Sequence, residues 1–284
     1  MRNAKKISER DFELLLSFLN EKNEGTVSLV KNQIRHALKI QPDFRNAIHK
    51  LSDPVIRTHA EMVVEESWFE EVQPAFRQLL RQGKHLDLEK GATLLATIAY
   101  PDLKISHVSA RLNKMTEDLN RLLLKEYPLP IKPIQVLGQY LFRVQGFHGN
   151  EKNYYDPDNS FINKVLERKT GIPISLSLVY LLLAARLKLI AHGVGLPGHF
   201  IVGVRLPRGV VHIDPFNQGK ILRKKDCEVL VKRMGFLFKE EHLDPVLPRQ
   251  LLARMILNLI NVYTEQGAVA RAHWLTALFH LVQE

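Results

Sequence analysis

The chain reads as a mainly helical α+β protein, with a small antiparallel sheet packed on a central helix. Three observations predict this. The first 125 residues repeat apolar positions at helical spacing. The stretch Ile174 to Leu187 is apolar almost all round, as a buried helix is. Beyond it, Ile190 to Leu206 and Val210 to Ile213 read as strands joined by a Pro207-Arg208-Gly209 turn.

The elements follow in order. Ser8 and Asp11 form a capping-box pattern ahead of Phe12, Leu15, Leu16 and Leu19. Ser52-Asp53-Pro54 is a second start signal, because proline suits a first helical turn. Its helix carries Ile56, Ala60, Val63, Val64 and Trp68. Gly83 and Gly91 punctuate the helices that come next. Leu94, Leu95, Ile98 and Ala99 make one apolar face, and Val108, Leu112, Met115, Leu119 and Leu122 make another. Pro128, Pro130 and Pro133 mark a break, and a helix through Leu137, Leu141 and Phe142 follows. Gly146 to Asn150 reads as a loop, and Tyr154 to Ser160 as a turn-rich approach to a helix near Phe161 that ends near Lys169–Thr170, with Gly171 as its C-terminal stop. Pro173 then opens the central helix. Leu247 to Glu284 reads as two helices parted near Gln266–Gly267. The organisation expected is 1–127 helical, 128–245 the core, and 246–284 a helical hairpin.

Composition narrows the class. Of 284 residues, 45% are hydrophobic and 25% charged, as in ordinary folded proteins. The longest apolar run, Ile174 to Ala185, falls short of the about 20 residues that a membrane helix needs. Charged residues rather than an apolar core follow the N-terminus, so no secretory signal is read. The single cysteine, Cys227, excludes an intramolecular disulfide and a cysteine-based zinc site, and a cytoplasmic location is expected. The net charge of +10 is compatible with nucleic acid, but its basic residues are scattered, the densest runs being Arg2–Lys6 and Lys220–Lys225.

The chemistry-bearing residues lie in and before the hairpin. If Leu206 pairs with Gly209, Ile201 falls opposite Asp214 and His199 opposite Phe216. Side chains alternate along strands, so His199, His212 and Asp214 share a face, and Asp214 can hold one nitrogen of His199. The plainer alternative is a structural histidine beside an Asp-Pro turn. His199, His212 and Asp214 also have the composition of a two-histidine, one-carboxylate metal site. Ser175 and Ser177 lie in the first turns of the central helix, as nucleophiles served by His199 or as packing residues. Cys227 follows Lys224 and Lys225, cations of the kind that lower a thiol pKa, although its more ordinary reading is an incidental thiol.

The run Tyr154-Tyr155-Asp156-Pro157-x-Asn159-Ser160-Phe161, Val165-Leu166-Glu167-Arg168, Gly171-Ile172-Pro173-Ile174-Ser175-Leu176-Ser177, Gly193 to Phe200 and Ile213-Asp214-Pro215-Phe216-Asn217 resembles the SirB-type transglutaminase-like family. The resemblance is strongest over residues 87–223. It implies a transglutaminase-like, papain-like core under a helical N-terminal portion, with a short tetratricopeptide-like tail. True transglutaminases carry a Cys–His–Asp triad, whose cysteine follows a glycine by two residues and begins the central helix. By that count from Gly171, the nucleophile position holds Pro173, while His199 and Asp214 match the other two members. The resemblance therefore implies a non-catalytic module that binds a protein partner or regulates, without a cofactor or metal. The alternatives are a hydrolase or acyl-transfer enzyme with an altered site using His199, Asp214 and Ser175, and a basic nucleic-acid-binding protein.

Overall fold

The computed structural model describes residues 6–125 and 133–284. In chain order its α-helices are α1 (Glu9–Ser17), α2 (Glu24–Ile40), α3 (Phe44–His49), α4 (Pro54–Leu80), α5 (Leu88–Ala96), α6 (Ile105–Lys125), α7 (Pro133–Gln139), α8 (Ile162–Arg168), α9 (Pro173–Arg186), α10 (Lys224–Arg233), α11 (Pro248–Glu265) and α12 (Val269–Gln283). A single π-turn, Tyr140–Val144, extends α7. The strands are β1 (His148–Gly149), β2 (Thr170–Gly171), β3 (Ala191–Val194), β4 (Ile201–Leu206), β5 (Gly209–Asp214), β6 (Lys220–Leu222) and β7 (Pro245–Val246). The mainly helical α+β class is as the sequence predicts.

The start signals act as read. The Ser8 hydroxyl caps Asp11 N while the Asp11 carboxylate reaches back to Ser8 N. Asp53 caps α4 through Val55 N and Ile56 N. Gly91 does not end a helix. It lies inside α5, where an added Cβ would crowd Leu79 and Leu252. The Pro128–Pro130 break, the boundary at 127/128 and Arg2–Lys5 fall outside the described residues.

α9 is central. Every residue from Pro173 to Ala184 is buried, as its all-round apolar sequence requires. Its cluster runs from Trp68 of α4 to Val282 of α12, so α4, α5, α6, α8 and the α11–α12 hairpin share one core. A second cluster, from Phe12 to Val63, holds α1 to α3 on the first half of α4. Glu65 of α4 and Arg271 of α12 pair at 2.8 Å across the boundary of the two clusters.

Five strands form an antiparallel sheet in the order β6-β5-β4-β3-β7. The β4–β5 register is the expected one, Leu206 opposite Gly209 and Val202 opposite Ile213, which leaves Asp214 across from Ile201. Val202, Val204 and Ile213 join the α9 cluster, whereas Ile201 and Leu222 pack with Cys227 and Val231 of α10. The sheet is thus covered on both faces.

Two readings need correction. Ile190 to Leu206 is not one strand: β3 and β4 are separate, with Val194 opposite Ile201. The turn between them holds Pro197 and a left-handed Gly198 (φ 72°), and His199 N closes it on Leu196 O at 3.1 Å. Proline lacks the N–H a ladder needs and glycine takes positive φ without a Cβ clash, so the strand breaks here. The stop of α8 is Lys169, left-handed at φ 60°, rather than Gly171. Gly171 instead pairs with Gly149 in the parallel β1–β2 ladder. A Cβ on Gly171 would stand 2.5 Å from Ser175 Oγ, so close approach explains this glycine.

Candidate functional site

The site forms where the β3–β4 turn meets the end of β5. His199 lies in that turn, just before β4, not on a strand as expected. Asp214 is the last residue of β5. The two side chains are 5% and 1% exposed, and His199 Nε2 lies 2.9 Å from Asp214 Oδ2. The anticipated pairing therefore exists, reached from a turn.

Asp214 is held by more than His199. Phe216 N and Asn217 N donate to Oδ1 at 3.1 and 3.2 Å, and Asn217 Nδ2 donates to Oδ2 at 2.7 Å. Burial pushes the carboxyl pKa up, but the bonds from His199 and Asn217 outweigh it and leave the pKa below the usual aspartate value. An ionised Asp214 fixes the ring orientation of His199. Nδ1 is then the ring nitrogen without a hydrogen bond among the described residues.

The turn has a second support that the sequence reading missed. Arg254 of α11 donates to Leu196 O at 2.9 Å and His199 O at 2.7 Å, and its guanidinium lies over the Phe200 ring. Burial lowers its pKa and the nearby Tyr154 opposes that shift. The available signal was one arginine inside the apolar run Leu251 to Ile256. Phe216 meets the His199 ring edge to face, and Tyr154 meets Phe216 in the same way. Met234 packs against Gly198 from the end of α10.

The helix start holds no partner for this pair. Pro173 occupies the first position of α9 and is buried. Ser175 Oγ donates to Asn159 O at 2.5 Å and accepts from Ile172 N at 3.1 Å, so it ties α9 to the preceding turn. Asn159 is itself held there, donating to Asn153 O and Tyr154 O. Ser177 Oγ reaches Phe200 O at 3.4 Å, next to His199, so it points toward the hairpin. Among the described residues, no hydrogen bond joins His199 to Ser175 or Ser177.

Two of the alternatives open in the sequence do not hold. His212 does not converge with His199 and Asp214. It lies in the cross-strand row of Gly203 and His192, and no group of three metal-ligating residues forms among the described residues. Burial lowers the pKa of both His192 and His212. The Cys227 thiol is not activated by its lysines: it is wholly buried, and burial, with Asp226 and Asp214, pushes it up to about 11. Cys227 sits on the inner side of α10, while Lys224 and Lys225 are exposed.

The arrangement can hold and orient an imidazole over an ionised carboxylate. It places no reactive thiolate beside that imidazole.

Comparison with known proteins agrees with this architecture. A UPF0162 protein of Xylella fastidiosa (strain 9a5c) is 34% identical over 194 residues, covering 66% of this chain and 68% of that protein. A UPF0162 protein of Vibrio cholerae is 26% identical over 165 residues, covering 57% of this chain and 60% of that protein. The mouse F-box only protein 21 is 31% identical over 155 residues, which are 51% of this chain and 24% of that protein. No solved structure matches the chain. Residues 106–257 match the family described as the transglutaminase-like superfamily, with the central helix, the five-stranded sheet and the His199–Asp214 pair inside that span, and the chain belongs to it.

Proposed function

We propose that this chain is a non-catalytic, SirB-type member of the superfamily, a cytoplasmic pseudoenzyme that binds a protein partner or regulates one. Pro173 carries the reading. It stands at the first position of α9, where the triad cysteine would begin the helix, and a proline ring on a tertiary amide nitrogen offers no nucleophile. The only cysteine in the sequence is buried with a raised thiol pKa, so it supplies no substitute.

Partner binding is supported beside the same turn. Met234, Phe236 and Leu237 are 47%, 50% and 85% exposed, and Met234 touches Gly198. Clustered exposed apolar side chains are a mark of interaction surfaces. The match to F-box only protein 21 covers only 24% of that protein, which suits a core used as a module within longer chains.

The retained His199–Asp214 pair favours a second reading, a hydrolase or acyl-transfer enzyme with an altered site in which His199 activates water or a serine. The nucleic-acid reading rests on the +10 charge alone. Amidase, esterase and transamidase substrates, including γ-glutaminyl amides, separate the first two. The expected result is no turnover above the His199→Ala background. Turnover that survives Cys227→Ser and is lost in both His199→Ala and Asp214→Asn would overturn the non-catalytic reading.

A further inference from the structure

Two histidines of the sheet stand apart from the His199–Asp214 pair. His192 of β3, Gly203 of β4 and His212 of β5 lie side by side in one cross-strand row. Directly paired residues share a sheet face. Gly203 is two residues from Ile201, so the row lies on the face that α10 covers. A glycine inside a strand often marks a close approach. Here the His192 ring makes it. A Cβ on Gly203 would collide with that ring, Nε2 first, then Cε1 at 2.8 Å and Cδ2 at 3.0 Å. The imidazole therefore leans across β4 with Nε2 leading, toward the strand that carries His212. Strands β3 and β5 are about 10 Å apart, at about 4.8 Å per neighbouring pair, and Nε2 of His192 has crossed about half of that.

Neither imidazole has a hydrogen-bond or ion-pair partner among the described residues, and none of their ring nitrogens is a sealed atom left without one. Those nitrogens thus stay open to water, although His212 is buried and His192 half-buried. Burial holds both below the ordinary histidine pKa, and His212 and Arg205 add to this at His192. The neutral imidazole is the form that ligates a metal. Asp214, two residues from His212, is already taken up by His199, Phe216 and Asn217.

Two neighbouring, neutral, otherwise unbonded imidazoles select a borderline metal ion. Imidazole nitrogen suits zinc, nickel and copper, whereas magnesium and calcium take oxygen. Two metal–nitrogen bonds of about 2.0–2.1 Å together span a distance comparable with the gap left between the rings. We propose that His192 and His212 form a two-histidine site for a first-row divalent cation of the zinc, nickel and copper group. Nε2 of His192 and a ring nitrogen of His212 are its ligands, and water fills the open positions. This site is independent of Pro173 and of the pseudoenzyme reading.

Calorimetric titration of the full chain with Zn²⁺, Ni²⁺ and Mg²⁺ at neutral pH tests it. Zn²⁺ and Ni²⁺ should each bind saturably at one site, and Mg²⁺ should not. His192→Gln and His212→Gln should each weaken Zn²⁺ binding at least about tenfold, the scale on which changes around metal ligands act. His107→Gln, at an exposed position of α6, should leave it unchanged. In protein labelled with ¹⁵N-histidine, Zn²⁺ should move the ring-nitrogen resonances of His192 and His212 together. That measurement keeps the test decisive if His212→Gln does not fold. No saturable Zn²⁺ binding overturns the proposal. So does binding that folded His192→Gln leaves intact, and so does a Zn²⁺ effect confined to other histidines.

Discussion

The two halves of the triad region differ sharply. On the hairpin side, His199 and Asp214 keep a dense polar network: four hydrogen bonds converge on one carboxylate, and Arg254 braces the turn from a distant helix. On the helix side, Pro173 is buried and Ser175 is spent on a structural bond to Asn159. One half still has the parts that position an imidazole. The other is packing. The difference teaches that a buried polar network can stand beside a helix start that offers it no partner, because that network also closes the β3–β4 turn and anchors the loop after β5.

The largest effect expected is on the helix side. Leu178 is 0% exposed in the middle of α9, so Leu178→Ala should cost about 2–5 kcal/mol in denaturant unfolding. A loss well under about 1 kcal/mol would make α9 a peripheral helix and remove the contrast between packing and network.

The second measurement asks whether the halves still meet. Native Cys227 should alkylate at least about 100-fold more slowly than in the unfolded chain, since it is buried and its thiol is raised to about 11. Pro173→Cys in a Cys227→Ser background should react faster than native Cys227, because a helix N-terminus favours the thiolate. His199→Ala should then slow it. Reactivity that ignores His199 would show that the helix start and the hairpin no longer form one site.

The smallest effect belongs to the network alone. Asp214 has a folded pKa below its ordinary value of 3.8. Its stabilisation is therefore fully present above the unfolded value and is lost as pH falls through the folded one. Asp214→Asn should lower stability by about 1–3 kcal/mol at neutral pH. The gap from the unmodified protein should narrow below about pH 4. A gap that stays constant down to pH 2 would mean the carboxylate charge contributes nothing to the turn.

Much of this was legible in the sequence because it rests on local rules. Ser8, Asp53 and Pro54 announce helix starts through backbone geometry. The apolar run after Pro173 requires burial from every side, and the short Pro207–Gly209 turn with side-chain alternation sets the β4–β5 register and brings Asp214 toward His199. What escaped depends on partners far along the chain. That Arg254 holds the His199 turn and that Cys227 faces inward beneath exposed lysines are results of how α11 and α10 dock on the sheet, while the Ser175–Asn159 bond follows from packing of α9 on the turn before α8, and the His192–His212 row from the register of three strands. Local sequence determines backbone propensity and which face is apolar. Which buried polar groups meet, and so which carry charge, was decided only when the tertiary packing removed water and left each of them its particular neighbours.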